Sequence, residues 1–120
     1  MFEVINLLAM IVTISLGLFG WLAPRYTLSK VGLKNDDRDG SRMGFTEIRA
    51  ANGALFVFAG AGALWLAHPF TYAAIGFMYL GAAIGRITGI VVDKASSAKA
   101  WSFFAFELVL ASALLGINLQ

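Results

Sequence analysis

The sequence has no cysteine, only one histidine and only two prolines among its 120 residues. Without cysteine the chain cannot form a disulfide, a thiolate metal site or a thiol nucleophile. One histidine cannot supply a histidine-rich zinc site or a bis-imidazole haem site. We therefore predict no metal and no cofactor held by this chain, and the sequence assigns no catalytic residue.

Charged side chains are also scarce, at 13% of the residues, whereas apolar side chains reach 59%. Soluble domains average about 25% charged and 45–50% apolar residues, so this composition predicts an all-α membrane protein. Mean hydropathy, at +0.78, agrees. Four membrane spans need roughly 20 residues each, about 80 in all. No room is left for a nucleotide-binding module or a soluble catalytic core, and nucleic-acid binding is not expected.

Four apolar segments are long enough to cross a bilayer, and together they form one predicted domain covering residues 1–120. The predicted spans are about 3–22, 46–67, 70–92 and 98–119. The last two connections are only a few residues long, which places neighbouring helices side by side in opposite directions. The predicted fold is therefore an antiparallel bundle of four transmembrane helices. The first segment lacks a basic leader and a cleavage site, so we expect a retained span.

The longest connection, residues 23–45, is polar and rich in turn-forming residues, and we expect a solvated loop there. Thr46 is then the expected N-cap of the second span, with Glu47 in its first turn, where a carboxylate complements the helix dipole. Arg49 in the same turn opposes that dipole. Snorkelling toward the interface explains Arg49 if it acts alone.

The basic residues are distributed very unevenly along the chain. All nine lie in the first and last loops or in the adjoining halves of spans, namely Arg25, Lys30, Lys34, Arg38, Arg42, Arg49, Arg86, Lys94 and Lys99. The positive-inside rule makes that side cytoplasmic. We therefore expect a multi-pass membrane protein with both termini on the opposite, outer side of the membrane.

Arg86 and Glu107 are ionisable residues inside the third and fourth predicted spans. At a rise of 1.5 Å per residue, both lie about 10 Å below the cytoplasmic boundary. Side chains lean toward the N-terminus of their own helix, so the two heads converge. We predict that they form an ion pair, which either fixes helix register or belongs to a ligand or proton-coupling site.

Two further polar residues lie at a similar level in the second span. Arg49 and Asn52 are three residues apart and share a helix face. Together with Arg86 and Glu107 they could close a polar chamber in the cytoplasmic half of the bundle. Candidate ligand or proton-coupling residues are therefore Glu107, Arg86, Asn52, Arg49 and Glu47.

Gly81, Gly85 and Gly89 recur every four residues in the third span. Such small residues let a neighbouring helix backbone approach closely. We predict a packing role for them, either within the bundle or between protomers. They do not resemble a phosphate-binding loop, because they lie inside an apolar helix.

These polar and glycine positions also form a family-like pattern. It consists of Glu47-Ile48-Arg49-Ala50, Asn52-Gly53, Gly85-Arg86, Gly89, Asp93, Glu107-Leu108 and Ala111. In these residues the chain resembles a small bacterial four-span family described only as a domain of unknown function. That family is similar, more distantly, to DoxX-like four-helix membrane proteins. The resemblance covers most of the chain from Glu47 onward and implies an inner-membrane bundle without assigning an activity.

Three classes of function fit the sequence, in decreasing order. The first is an accessory subunit of a membrane complex, or a binder of a small apolar, lipid-like or quinone-like ligand. The second is a small dimeric proton-coupled transporter using Glu107, although a permanently paired Arg86 would discourage proton cycling. The third is an intramembrane lipid-modifying enzyme, for which a second acid or base at depth is missing. The partners expected are the lipid bilayer, such a ligand, and a second copy or a larger complex.

Overall fold

The computed structural model describes residues 2–120, which contain five α-helices and no strand. The helices are α1 (Phe2–Leu22), α2 (Pro24–Val31), α3 (Met43–Leu66), α4 (Pro69–Val92) and α5 (Ala98–Asn118). All except α2 are long and apolar enough to cross a membrane. The prediction of an all-α protein with four candidate spans is confirmed. Helices α1, α4 and α5 begin and end within one residue of the predicted span bounds.

The chain forms two compact units. One consists of residues 10–65 and therefore contains most of α1, all of α2 and nearly all of α3. The other combines the residues up to Ala9 with Leu66–Gln120 and contains α4 and α5. We describe each unit by itself.

In the unit of residues 10–65, the backbones of α1 and α3 come into direct contact through glycine. A Cβ atom added at Gly17 would lie 2.7 Å from the Gly53 carbonyl oxygen, and one added at Gly60 would lie 2.7 Å from Ile14. A Cβ at Gly20 would overlap the backbone of Asn52. As the numbers rise along α1 they fall along α3, so the two helices are antiparallel.

Helix α3 changes its winding at this contact. Residues Ala50–Ala54 form a π-helical turn, and Gly53 within it has the non-helical angles φ −121° and ψ −106°. Single π-turns inside α-helices are uncommon and are often found at functional sites. Here the turn brings Gly53 against Trp21, with a Cβ at Gly53 only 2.6 Å from the Trp21 nitrogen.

The predicted start of the second span is wrong by three residues. Helix α3 begins at Met43, its N-cap is Arg42, and Thr46 lies inside the helix. Side chains from the preceding loop take over the capping, because the Gly44 N–H donates to Asn35 Oδ1 at 2.8 Å and the Met43 N–H donates to Ser41 Oγ at 3.2 Å. Glu47 and Arg49 therefore lie beyond the first turn, and the dipole argument made for them does not apply.

The predicted loop 23–45 is also partly wrong, because it contains helix α2. Pro24 occupies the first turn, where its fixed φ suits a helix and its missing N–H is not needed. Gly32 ends the helix in the left-handed conformation at φ 81°, and its N–H bonds the Leu28 and Ser29 carbonyls. A short 3₁₀ turn follows at Arg38–Gly40.

In the other unit, α4 and α5 pack along their length. Gly76 faces Leu114 and Leu115, with a Cβ there at 3.0 Å from each side chain. Each helix begins with a side-chain cap: His68 Nδ1 accepts the Phe70 N–H at 3.1 Å, and Ser97 Oγ accepts the Ala100 N–H at 3.0 Å. The single histidine of the chain thus starts α4, which is a structural role.

Candidate functional site

The ion pair predicted between Arg86 and Glu107 is present. Arg86 Nε donates to Glu107 Oε1 at 2.7 Å, and Arg86 Nη2 donates to Oε2 at 3.2 Å. This two-pronged contact joins α4 to α5 and is the geometry in which guanidinium and carboxylate bind most strongly. The predicted contact between Arg86 and Glu107 is confirmed.

The two partners differ in their exposure. Glu107 is buried, and its side chain is 10% exposed, whereas the Arg86 side chain is 38% exposed. The Arg86 guanidinium carbon lies 5.1 Å from the centre of the Phe103 ring, a cation–π contact. Within residues 2–120, Arg86 Nη1 makes no hydrogen bond, so part of the guanidinium keeps unused donors.

A groove of about 340 Å³ runs beside this pair, within the unit that contains α4 and α5. Its walls come from α4, from the 93–97 connection and from the first turn of α5. They consist of Ala82, Gly85, Arg86, Gly89, Ile90, Ala95 and Ala100. Arg86 is the one charged residue of this lining, and every other lining side chain is small or apolar. The arrangement offers hydrogen-bond donors beside an apolar slot.

The three glycines of α4 leave open space. A Cβ added at Gly81 or Gly85 would meet nothing within 4 Å, and one at Gly89 would meet only Asp93, at 3.8 Å. Gly85 and Gly89 line the groove, and Gly81 does not. The predicted packing role of the three glycines, within the bundle or between protomers, stays a prediction.

The polar residues of α3 lie in the other unit. Arg49 is exposed, and its Nη1 donates to the Trp21 carbonyl oxygen at 2.6 Å. That carbonyl belongs to the last turn of α1, where a cation complements the negative end of the helix dipole. Arg49, which appeared misplaced within its own helix, therefore stabilises the end of another one.

Asn52 and Glu47 are both exposed, and Asn52 lies inside the π-turn. Neither side chain makes a hydrogen bond within residues 2–120. Of the five candidate residues, the structure thus brings together Arg86 and Glu107 and gives Arg49 a separate partner. A chamber shared by Arg49, Asn52, Arg86 and Glu107 stays a prediction.

Sequence reasoning missed a second buried polar contact, between Asn6 of α1 and Asn118 of α5. Asn6 Nδ2 donates to Asn118 Oδ1 at 2.9 Å, and Asn118 Nδ2 donates back to Asn6 Oδ1 at 2.8 Å. Asn118 Nδ2 also donates to the Leu114 carbonyl at 2.8 Å. Both residues are buried, at 7% exposure each. An amide inside an apolar run was the available indication, since such groups bond across helices in membranes.

Residues 2–120 contain no group of three or more His, Asp or Glu side chains placed to hold a metal ion. The site therefore consists of one ion pair, one cation–π contact and a small apolar groove. In it, two N–H donors of Arg86 are held by the buried Glu107 carboxylate.

Four long apolar helices and an ion pair between two of them define the class as small α-helical membrane proteins. Within that class, the chain belongs to the family described as Domain of unknown function (DUF4345), whose family model matches residues 1–117. No curated protein matches the chain. No solved structure matches it either.

Proposed function

We propose that this protein binds a small apolar, lipid-like ligand in the groove beside Arg86 and acts as an accessory membrane subunit. The observation that carries the proposal is the half-exposed Arg86, fixed by the buried Glu107 on one side and lining an apolar groove on the other. A cation in a membrane span is costly to leave without partners. A ligand oxygen accepting from Nη1 would complete its hydrogen bonding.

The chemistry of the pair favours a neutral ligand head. Glu107 balances the charge of Arg86, so the groove offers N–H donors with little net charge. Carbonyl oxygens of a quinone-like ring or of a lipid ester meet that requirement. The small lining side chains leave room for an apolar tail, and the volume of about 340 Å³ is within the usual range of small-molecule sites.

The proposal includes an architecture for the whole chain. The four spans form an antiparallel bundle in a bacterial inner membrane, with both ends of this sequence in the periplasm. The distribution of the nine basic residues supports this orientation. In the proposed orientation, the Arg86–Glu107 pair lies in the cytoplasmic leaflet. A distant kinship with DoxX-like bundles belongs to the same proposal, as does assembly with a second copy or a larger membrane complex.

The competing hypothesis is a dimeric proton-coupled transporter in which Glu107 carries the proton. Both carboxylate oxygens of Glu107 accept hydrogen bonds from Arg86, so a proton carrier at this position would have to break two charge-assisted hydrogen bonds in every cycle. An intramembrane lipid-modifying enzyme would need a second acid or base beside Glu107. Binding requires only the groups that are present at the groove.

Two matched glycine variants test the proposal. Gly85→Leu fills the groove, whereas Gly81→Leu adds the same side chain one helical turn away, outside the groove lining. Both positions have open space, so both variants should fold. We expect the wild type and Gly81→Leu to retain an apolar compound through purification in mild detergent, and Gly85→Leu to lose it. Extraction into organic solvent and mass spectrometry measure the compound.

Equal retention by the two variants, or no retained compound in the wild type, would contradict the proposal. A flux assay in liposomes distinguishes the binding proposal from the transporter hypothesis. Proton-linked transport by the wild type that vanishes in Glu107→Gln would favour the transporter, and we expect no such flux. Helical circular dichroism and a single elution peak confirm that each variant is folded.

A further inference from the structure

The unit of residues 10–65 contains a second and larger cavity, of about 640 Å³. It lies between helix α2, the following loop and the first turn of α3. Three cations line it, Arg25, Lys34 and Arg42, against a single carboxylate, Asp37. The lining therefore carries a net charge of +2, three cations less one carboxylate.

Contacts with neighbouring residues hold the segments that carry these cations. The Arg25 guanidinium carbon lies 4.5 Å from the centre of the Phe45 ring. Lys34 precedes Asn35, whose Nδ2 donates to the Ser41 carbonyl at 3.0 Å and whose Oδ1 accepts the Gly44 N–H. A Cβ at Gly44 would lie 2.5 Å from Asn35 Oδ1, so only glycine permits this contact. The loop that carries Lys34 is thus fixed to the start of α3.

The acids of the loop leave these cations unpaired. Asp36 is bonded by Arg38, with Arg38 Nη2 2.7 Å from Asp36 Oδ2, and neither residue lines the cavity. Hydrogen bonds from Arg38 hold the pKa of the Asp36 carboxyl below its ordinary value, so that acid stays ionised and engaged. Within residues 2–120, neither Arg25, Lys34 nor Arg42 forms an ion pair.

The cavity also combines apolar side chains and hydroxyl groups with its cations. Leu28, Leu33 and Phe45 supply apolar wall, while Ser29 and Ser41 supply hydroxyl groups. It lies where α1 ends and α3 begins, which is at the ends of two helices long and apolar enough to cross a membrane. Arginine and lysine bind phosphate oxygens through charge-assisted hydrogen bonds, and basic pockets at the ends of membrane helices bind anionic headgroups.

From this arrangement we infer that the cavity binds a phosphate ester, and that its occupant is the headgroup of an anionic phospholipid. The phosphate contacts Arg25, Lys34 and Arg42, and the glycerol end of the acyl chains rests on Leu28 and Leu33. A free phosphorylated metabolite shares the headgroup chemistry but cannot use the apolar wall. This site is independent of the groove beside Arg86, because it uses none of the same residues.

The test compares two double variants that remove equal charge. Arg25→Gln with Arg42→Gln removes two cavity cations, while Lys30→Gln with Arg38→Gln removes two cations outside the cavity lining. The probe is short-chain phosphatidylglycerol, added to delipidated protein in neutral detergent and measured by native mass spectrometry. We expect the cavity variant to bind about 30-fold more weakly than the wild type, the loss expected for two cations at an anionic surface.

The control variant should lose far less affinity. Equal losses in both double variants would overturn the inference, because they would reflect the general positive field of the loop. Phosphatidylcholine of the same chain length should bind weakly to the wild type. Glycerol phosphate and inorganic phosphate are the water-soluble probes in the same binding experiment. Tighter binding of either one than of the lipid would overturn the assignment to a headgroup.

Discussion

At the scale of single residues, Arg86 and Glu107 form an ion pair whose two members depend on each other. Each supplies the opposite charge that the other needs, and the Glu107 side chain is only 10% exposed. The contact could be predicted because depth along a helix and the lean of side chains follow from the sequence. The exposure of Arg86 and its contact with Phe103 could not, since both depend on how α4 and α5 are rotated about their axes.

We predict that Glu107→Gln destabilises the protein by about 3–5 kcal/mol, since it leaves the Arg86 charge without its partner. Arg86→Met combined with Glu107→Leu should cost less than the single change, because no charge is left behind. Thermal unfolding of detergent-purified variants measures both. Arg86→Met and Glu107→Leu made singly complete the cycle, and a double variant that loses the sum of these two single losses would show that the residues are not coupled.

A second prediction at this scale concerns the two hydrogen bonds between the side-chain amides of Asn6 and Asn118. Asn6→Leu alone should cost about 1–2 kcal/mol, because the Asn118 amide loses both of its bonds to Asn6. Adding Asn118→Leu should recover part of the loss. A double-mutant cycle of unfolding in sodium dodecyl sulfate gives the coupling energy, and a coupling of zero would contradict the pairing.

At the scale of helices, α1 and α3 depend on glycine for their contact. The apolar runs predicted both helices. The π-turn at Ala50–Ala54 could not be predicted, because it lies at a close contact with the α1 backbone that periodicity within α3 does not reveal. Helix α2 was predictable in principle, since Pro24 and Gly32 occupy a typical helix start and helix end. Its low apolar content concealed it among the turn-forming residues of the loop.

Gly17→Ala should therefore destabilise the protein by about 1–3 kcal/mol, because the new methyl group would overlap the Gly53 carbonyl. Gly81→Ala is the matched control, since that position is open, and a better helix former should stabilise it by up to about 1 kcal/mol. Denaturant titration of both variants checks the contrast. Similar effects at the two glycines would show that α1 and α3 do not touch at Gly17.

At the scale of the whole molecule, composition and hydropathy were sufficient to predict the class and the number of spans. The cavity lined by Arg25, Lys34 and Arg42 was not predictable, because it needs helix α2 and the Asn35 hydrogen bonds to exist. The sequence shows that the loop carries cations, but it does not show that three of them line the same cavity.

The proposed orientation gives a prediction for the entire chain. Because the sequence has no cysteine, an introduced thiol is unique. Ser96→Cys should react with a membrane-impermeant thiol reagent only after the inner membrane is opened, whereas a cysteine added after Gln120 should react in intact spheroplasts. The reverse labelling pattern would place the Arg86–Glu107 pair in the outer leaflet.

The central claim is that the groove beside Arg86 holds a lipid-like ligand in the membrane, and photo-crosslinking in living cells tests it most directly. The photoreactive residue p-benzoylphenylalanine replaces Ala82, which lines the groove, or Ile84, which is exposed nearby on α4 but not in the lining. We predict that Ala82 yields one defined apolar adduct and that Ile84 yields only the bulk phospholipids. The same mixture of bulk phospholipids at both positions would contradict the account.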